Sequence, residues 1–201
     1  MNLRGDLSED PEPKINMSHR AFHDAELSAE VATKDNEHLI LKSHCRNTGV
    51  HHVGLHAKDP AASAAFYRDI LGMELVGESG PENPIGATAF LSSRPDEESH
   101  DIVLVADATA VHTAFKVASL AEFRLLHARV VNRKVPIKFV FNHGTSFAFY
   151  FDDPDGNMIE VYWPTGAALD SYRQPYLEPL DLTQPDEALL EQVAHGPASR
   201  S

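Results

Sequence analysis

Val50-His51-His52-Val53-Gly54-Leu55-His56-Ala57 alternates apolar with polar or small residues, and Asp59-Pro60 then heads an apolar run from Ala61 to Leu71. Alternation of this kind marks a strand buried on one face. Asp followed by Pro marks a helix start, the acid as cap and the proline at the first helical position. Sixty residues on, Ala110-Val111-His112-Thr113-Ala114-Phe115-Lys116-Val117 repeats the pattern. Ser119 stands in for Asp59, and Leu120 to Val131 reads as the second helix. Each helix precedes three strand-like runs. These are Met73 to Gly77, Ala87 to Leu91 and Asp101 to Ala106 in the first copy. In the second they are Pro136 to Phe141, Ser146 to Phe151 and Met158 to Trp163, with Asp155-Gly156 as the turn before the last. The expected class is α+β: two βαβββ modules, 49–107 and 108–165, forming a curved, mostly antiparallel sheet around a cavity.

The flanks look different. The 201 residues hold 17 basic and 30 acidic side chains, a formal net charge of −13. Acids outnumber bases 9 to 6 in residues 1–48, 15 to 9 in 49–165 and 6 to 2 in 166–201. Residues 1–48 read as a mostly mobile extension with a short helix at Ala21 to Ala32 and a short strand at Leu39 to Leu41. Residues 166–201 read as an arm over the domain, with a final helix around Pro185 to Ala194. Such an acidic chain is a poor match for nucleic acid, which requires a basic face, or for an anionic membrane surface. No run approaches the ~20 apolar residues of a membrane span, and Met1 to Lys14 lacks the apolar stretch of a leader. The single cysteine, Cys45, permits no intramolecular disulfide. It reads as a plain thiol, and a reducing, cytoplasmic compartment fits.

Twelve histidines make placement the next question. Period-2 alternation assigns faces. Val53, Leu55 and Ala57 pack on the helix, so His52, Gly54 and His56 face the other way. Val111, Thr113, Phe115 and Val117 pack, leaving His112, Ala114 and Lys116 opposite. Phe147, Phe149 and Phe151 pack, leaving Ala148 and Tyr150; Ile159, Val161 and Trp163 pack, leaving Glu160 and Tyr162. One face therefore collects His52, His112, Glu160 and Tyr150. Two imidazoles and one carboxylate form the set that binds Fe(II) and leaves positions open. His51 falls on the packing face, and His56 lines the cavity or its mouth. His127 reads as a helix-surface residue, and His19, His23, His38, His44 and His195 as solvated tail residues. Asp153 to Asn157 reads as a turn, too short for a calcium loop. Asp96-Glu97-Glu98 reads as a solvated acidic loop.

His52-Val-Gly-Leu55, Ala65-Phe-Tyr-Arg-Asp-Ile-Leu-Gly72, His112-Thr-Ala-Phe115 and Asp153-Pro-Asp-Gly-Asn-Met-Ile-Glu-Val-Tyr162 resemble the vicinal oxygen chelate superfamily over residues 49–165. That superfamily includes extradiol dioxygenases, glyoxalase I, thiol transferases, an epimerase and bleomycin-binding proteins, so the resemblance implies a fold before a function. His143-Gly-Thr-Ser146, Tyr150 and His100-Asp-Ile-Val-Leu104 resemble segments of the small two-module extradiol catechol dioxygenases. The resemblance implies Fe(II), or Mn(II), held by His52, His112 and Glu160, with a small aromatic diol and O2 as reactants. It implies His100 as acid–base group, Tyr150 as hydrogen-bond donor to the substrate, and His143 as a residue that orients the substrate or stabilises charge. His100 lies sixty residues before Glu160, the repeat offset, so a fourth-ligand role stays open. Glyoxalase I-like members need a second carboxylate on the fourth strand, where this chain offers only Asp101. Tyr172, Arg173 and Tyr176 would belong to an arm closing over the site or a neighbouring subunit of a homo-oligomer. The alternatives are a glyoxalase-, epimerase- or thiol transferase-like metalloenzyme and a small-molecule-binding resistance protein.

Overall fold

Asp59 caps the first helix as expected, its carboxylate accepting from the backbone N–H of Ala62 at 3.0 Å. Gly72 ends that helix in the left-handed region, at φ 68°, where a side chain would be strained. Ser119 caps the second helix by accepting from Glu122 N at 3.2 Å, while Glu122 reaches back to Ala118 N at 3.1 Å. This reciprocal cap satisfies two otherwise orphaned donors.

A computed structural model describes residues 47–83, 85–166 and 177–194. The expected features at Ala21 to Ala32 and Leu39 to Leu41, Cys45, the five tail histidines, and Tyr172, Arg173 and Tyr176 lie outside the described residues. The chain runs β1 (Val50–His56), α1 (Pro60–Leu71), β2 (Glu74–Ser79), β3 (Thr88–Ser92), β4 (Ile102–Val105) and a short 3-10 turn. It continues with β5 (His112–Lys116), α2 (Leu120–Asn132), β6 (Ile137–Asn142), β7 (Ser146–Asp152), β8 (Met158–Pro164), β9 (Glu178–Pro179) and α3 (Asp186–Ala194). The α+β class and both βαβββ units follow the sequence expectation, with element ends shifted by one or two residues.

All nine strands join one open, curved sheet in the order β2-β3-β4-β1-β5-β8-β7-β6-β9. β1 and β5 run antiparallel at its centre, and each pairs in parallel with the last strand of its own module, β4 or β8. The other pairs are antiparallel. Two rungs cross the centre. Val103, Gly54 and His112 form one; His52, Ala114 and Glu160 form the other. They are images of each other under the local two-fold relating the modules.

The cores lie on the helix side. Phe123 of α2 meets Phe149 at 5.2 Å between ring centres, over Val117, Phe147 and Val161. The arm completes this core with Leu180 and Leu189, and Arg124 fastens it by pairing with Asp186 at 2.9 Å. The first module packs smaller residues, Ala57, Ala64, Met73, Ala89, Leu91 and Leu104. It leaves Phe66, Ile70 and Leu71 of α1 exposed. No described helix is long and apolar enough to cross a membrane.

His127 corrects a sequence expectation. It is buried rather than on the helix surface, edge-on to Phe149 at 5.2 Å. Leu120, Phe123 and His127 recur at helical spacing on the packed face. Burial, with Arg124 near, lowers its pKa to about 4. The unfolded chain, near 6.5, binds this proton first as pH falls. Stability is therefore lost on going from pH 7 through 6.5 towards 4, by about 2 kcal/mol at pH 5. His127→Leu is expected to reduce the fall in melting temperature between pH 7.5 and 5.0 by roughly 4–8 °C. Thermal unfolding followed at both pH values measures this, and an unchanged slope would place the pH sensitivity elsewhere.

Candidate metal centre

The two central rungs project three donors to one point on the concave face. His52 Nε2 lies 3.2 Å from Glu160 Oε2, His112 Nε2 lies 3.2 Å from the same oxygen, and the two imidazole nitrogens lie 3.3 Å apart. His52 and Glu160 are buried, and His112 is nearly so. These residues could hold one metal ion. The triangle fits one face of an octahedron with bonds of ~2.1 Å, whose corners stand ~3.0 Å apart. Nδ1–H of His112 donates to the Ala110 carbonyl at 2.8 Å. That bond leaves Nε2 with its lone pair towards the triangle, the usual support for a ligating histidine.

Burial alone would raise the pKa of Glu160. The charge of His52 and hydrogen bonds from His112 and His52 more than offset this and hold the carboxylate well below its ordinary range. Burial likewise opposes charge on His112, but its hydrogen bond and attraction to Glu160 raise its pKa.

Small residues make room for these rings. Gly54 neighbours His112 across the strand pair, and Ala114 neighbours His52. A Cβ on Gly54 would lie 2.6 Å from both Cε1 and Nδ1 of His112, a contact the ring could escape only by moving. Gly54 is therefore part of the site, although its sequence position distinguishes it only as a strand glycine.

Val103 occupies the rung position that mirrors Glu160. The fourth strand therefore presents an apolar side chain where a second carboxylate would stand. Asp101 lies before that strand and is bound by Ser93 N, Ser93 Oγ and Arg94 Nη2. The sequence offset of sixty between His100 and Glu160 is not the structural offset: Val103 and Glu160 are 57 apart. His100 comes from the β3–β4 connection instead. Its ring tilts over His52 at 4.2 Å and meets Phe90 edge-on at 5.1 Å. Nδ1 and Ser99 Oγ share a hydrogen bond of 3.1 Å. Burial, and then the neighbouring His52, hold the His100 pKa well below its usual value, so its ring is neutral.

Tyr150 stands on the other flank, perpendicular to His112 at 6.0 Å. Its hydroxyl and His143 Nε2 share a hydrogen bond of 2.9 Å. Burial, with the Glu160 carboxylate near, raises the tyrosine pKa well above 10. Phe139 and Phe141 stack at 5.6 Å and reach the ring of Tyr150. All six expected site residues thus gather on one face. His56, by contrast, is exposed at the end of β1, beyond the triangle.

Two further expectations need correction. The β1–β5 register shifts between Val50 and His52. His51 sits at this irregularity and turns towards the site face, edge-on to Tyr162 at 5.7 Å, instead of packing behind it. Such a bulge re-aims a side chain. Glu98 is not a solvated loop acid: its Oε1 accepts from Lys116 Nζ at 2.9 Å and pairs with His51 Nε2 at 3.0 Å. The turn at Asp153 to Asn157 is as expected, Asp153 Oδ1 accepting from Asp155 N and Asn157 N.

The model of the Glyoxalase/Bleomycin resistance protein/Dioxygenase superfamily matches residues 49–161. Biphenyl-2,3-diol 1,2-dioxygenase 3 of Rhodococcus globerulus is 30% identical over 126 residues, 55% of this chain and 60% of its own length. Biphenyl-2,3-diol 1,2-dioxygenase 2 of the same organism is 31% identical over 81 residues, 33% of this chain and 40% of its own. The chain thus spans less than two thirds of these curated relatives. The crystal structure of 2,2',3-trihydroxybiphenyl 1,2-dioxygenase from Sphingomonas wittichii strain RW1 aligns with a TM-score of 0.51 at 20% identity, covering 65% of this chain and 50% of that one. That likeness is one of fold.

Proposed function

We propose that this chain, which belongs to the Glyoxalase/Bleomycin resistance protein/Dioxygenase superfamily, is an extradiol dioxygenase that opens a catecholic ring with O2 at a non-haem Fe(II) centre. One arrangement carries the reading: a His-His-Glu triangle flanked by His100 on one side and the His143–Tyr150 pair on the other. Val103 at the mirrored rung supports it, because it leaves one carboxylate in the donor set. The similarity to biphenyl-2,3-diol dioxygenases supports a planar aromatic diol as substrate. Residues 49–165 would carry the activity, with 1–48 an extension and 166–201 an arm. The apolar outer face of α1 supports self-association.

Fe(II) at the triangle, or Mn(II) in its place, would lower the pKa of the diol hydroxyls and offer open positions that bring diol and dioxygen together. Neutral His100 would accept a diol proton and return it as the ring opens, acting as a positioned acid–base group. Tyr150, kept protonated, would donate to a diol oxygen, with His143 fixing the direction of its hydroxyl. Phe90, Phe139 and Phe141 would wall the ring and exclude water. The carbon–carbon bond beside the diol breaks and both atoms of O2 stay in the product, so no outside reductant is needed.

The test is anaerobic loading with iron, followed by mixing with a panel of catechols, biphenyl-2,3-diol included, and air. The expected result is uptake of one O2 per substrate with a yellow ring-opened product. Stoichiometric metal with no oxygen uptake on any diol would overturn the reading in favour of Lewis-acid chemistry of the glyoxalase or epimerase kind. A protein that binds these diols but no metal would instead be a small-molecule-binding member.

A further inference from the structure

The half-buried ring of His100 lies over His52 at 4.2 Å, yet it belongs to the nine-residue connection 93–101 between β3 and β4. Connections of this kind run over the surface and move more than the strands they join. Something must hold this one down. The Asp101 side chain closes the connection on itself, binding Ser93 and Arg94, while its backbone joins only the strand end, through Leu91 of β3 and Val53 of β1. Glu98 does something different. Two residues before His100, it crosses to the strands that carry the histidine ligands. Its Oε1 receives Lys116 Nζ of β5 at 2.9 Å and faces His51 Nε2 of β1 at 3.0 Å. The carboxylate side chain is only 15% exposed, as is that of His51. Both partners stand close to the triangle, His51 next to His52 and Lys116 four residues beyond His112 on the same face of β5. The irregularity in β1 turns His51 towards Glu98.

We infer that Glu98 is a positioning residue, which pins the 93–101 connection to β1 and β5 and thereby holds His100 over the metal centre. The inference deepens the proposed function and rests on it for the part His100 plays in turnover; the pinning itself does not. Glu98 touches no reacting atom. Its removal would let His100 leave the His52 ring while the three donors stay in place.

The experiment compares wild type with Glu98→Ala, Glu98→Gln and a Glu98→Ala/His100→Phe double variant. Hydrogen exchange on the metal-free proteins comes first. Peptides of 93–101 are expected to exchange at least tenfold faster in Glu98→Ala, with β1 and β5 unchanged. Glu98→Gln, which keeps an acceptor for Lys116, should recover much of the protection. Equal protection in Glu98→Ala and wild type would overturn the pinning, whatever the activity. Turnover of a catechol by the iron-loaded proteins comes second. Glu98→Ala is expected to keep stoichiometric iron and lose about tenfold to a hundredfold in kcat, the range typical of supporting residues around a metal site. In the double variant the Glu98 substitution should add little beyond His100→Phe, because both act through one imidazole. Full additivity, or an unchanged kcat in Glu98→Ala, would overturn the positioning role. A wild type that consumes no oxygen fails the proposed function alone, and the exchange result then decides the pinning.

Discussion

Alanine in place of His52, His112 or Glu160 is expected to abolish metal retention. Iron per chain, measured by elemental analysis after anaerobic loading and gel filtration, should fall from near stoichiometric to background. The three donors lie 3.2, 3.2 and 3.3 Å apart, so each contributes one corner of a single face. Removing a supporting hydrogen bond around such a site typically weakens metal binding 10- to 100-fold. Removing a donor should exceed that, with a loss of more than about a hundredfold. Glu160 should be the most sensitive, because it brings the only carboxylate of the three donors. Glu160→Gln separates charge from shape. It keeps the side-chain volume and an oxygen towards the triangle, but the negative charge that offsets a divalent ion is gone. Loss of iron in Glu160→Gln with an unchanged circular dichroism spectrum would assign the effect to that charge. Stoichiometric iron in any of the three alanine variants would remove that residue from the donor set.

These donors were legible because strand alternation has a period of two and tolerates small errors in strand ends. His52, His112 and Glu160 each stand next to apolar residues that must face a helix, and that fixes their own direction. The repeat was legible for the same reason, reinforced by Asp59-Pro60 and Ser119 as helix starts. What escaped depends on information a single strand does not carry. A one-residue irregularity in β1 turns His51 round, and nothing in Val50-His51-His52 announces it. The counterpart of Glu160 requires the β1–β4 register. Counting sixty residues lands on His100 because nine residues join β3 to β4, whereas five join β7 to β8; the true counterpart is Val103. Glu98 was hidden among three consecutive acids, and only the fold shows that Lys116 and His51 wait for one of them. His127 was different. Its spacing from Leu120 and Phe123 placed it on the packed face, and its polarity led the reading astray.

His100→Phe is expected to keep the metal and lose the reaction. Phenylalanine nearly matches the imidazole in shape, so it can still tilt over His52 and meet Phe90. It has no nitrogen to take a proton. Positioned acid–base groups contribute typically 10²–10⁴-fold, and a fall in kcat within that range, with iron per chain unchanged, is the outcome the proposed function requires. The binding of the diol should change less than kcat, because the donors and Tyr150 remain. The pH profile separates this from a packing defect. A lost base removes the limb of the kcat profile that His100 governs, whereas a displaced loop lowers the whole curve and leaves its shape. The same variant also tests the alternative left open by the repeat. If His100 were a fourth ligand, iron would fall with activity, and the metal count would show it before any kinetics. Asymmetry between the modules argues for the first outcome: the mirrored position of Glu160 belongs to an apolar valine, while His100 reaches the centre from a nine-residue connection whose counterpart in the second module is a five-residue turn.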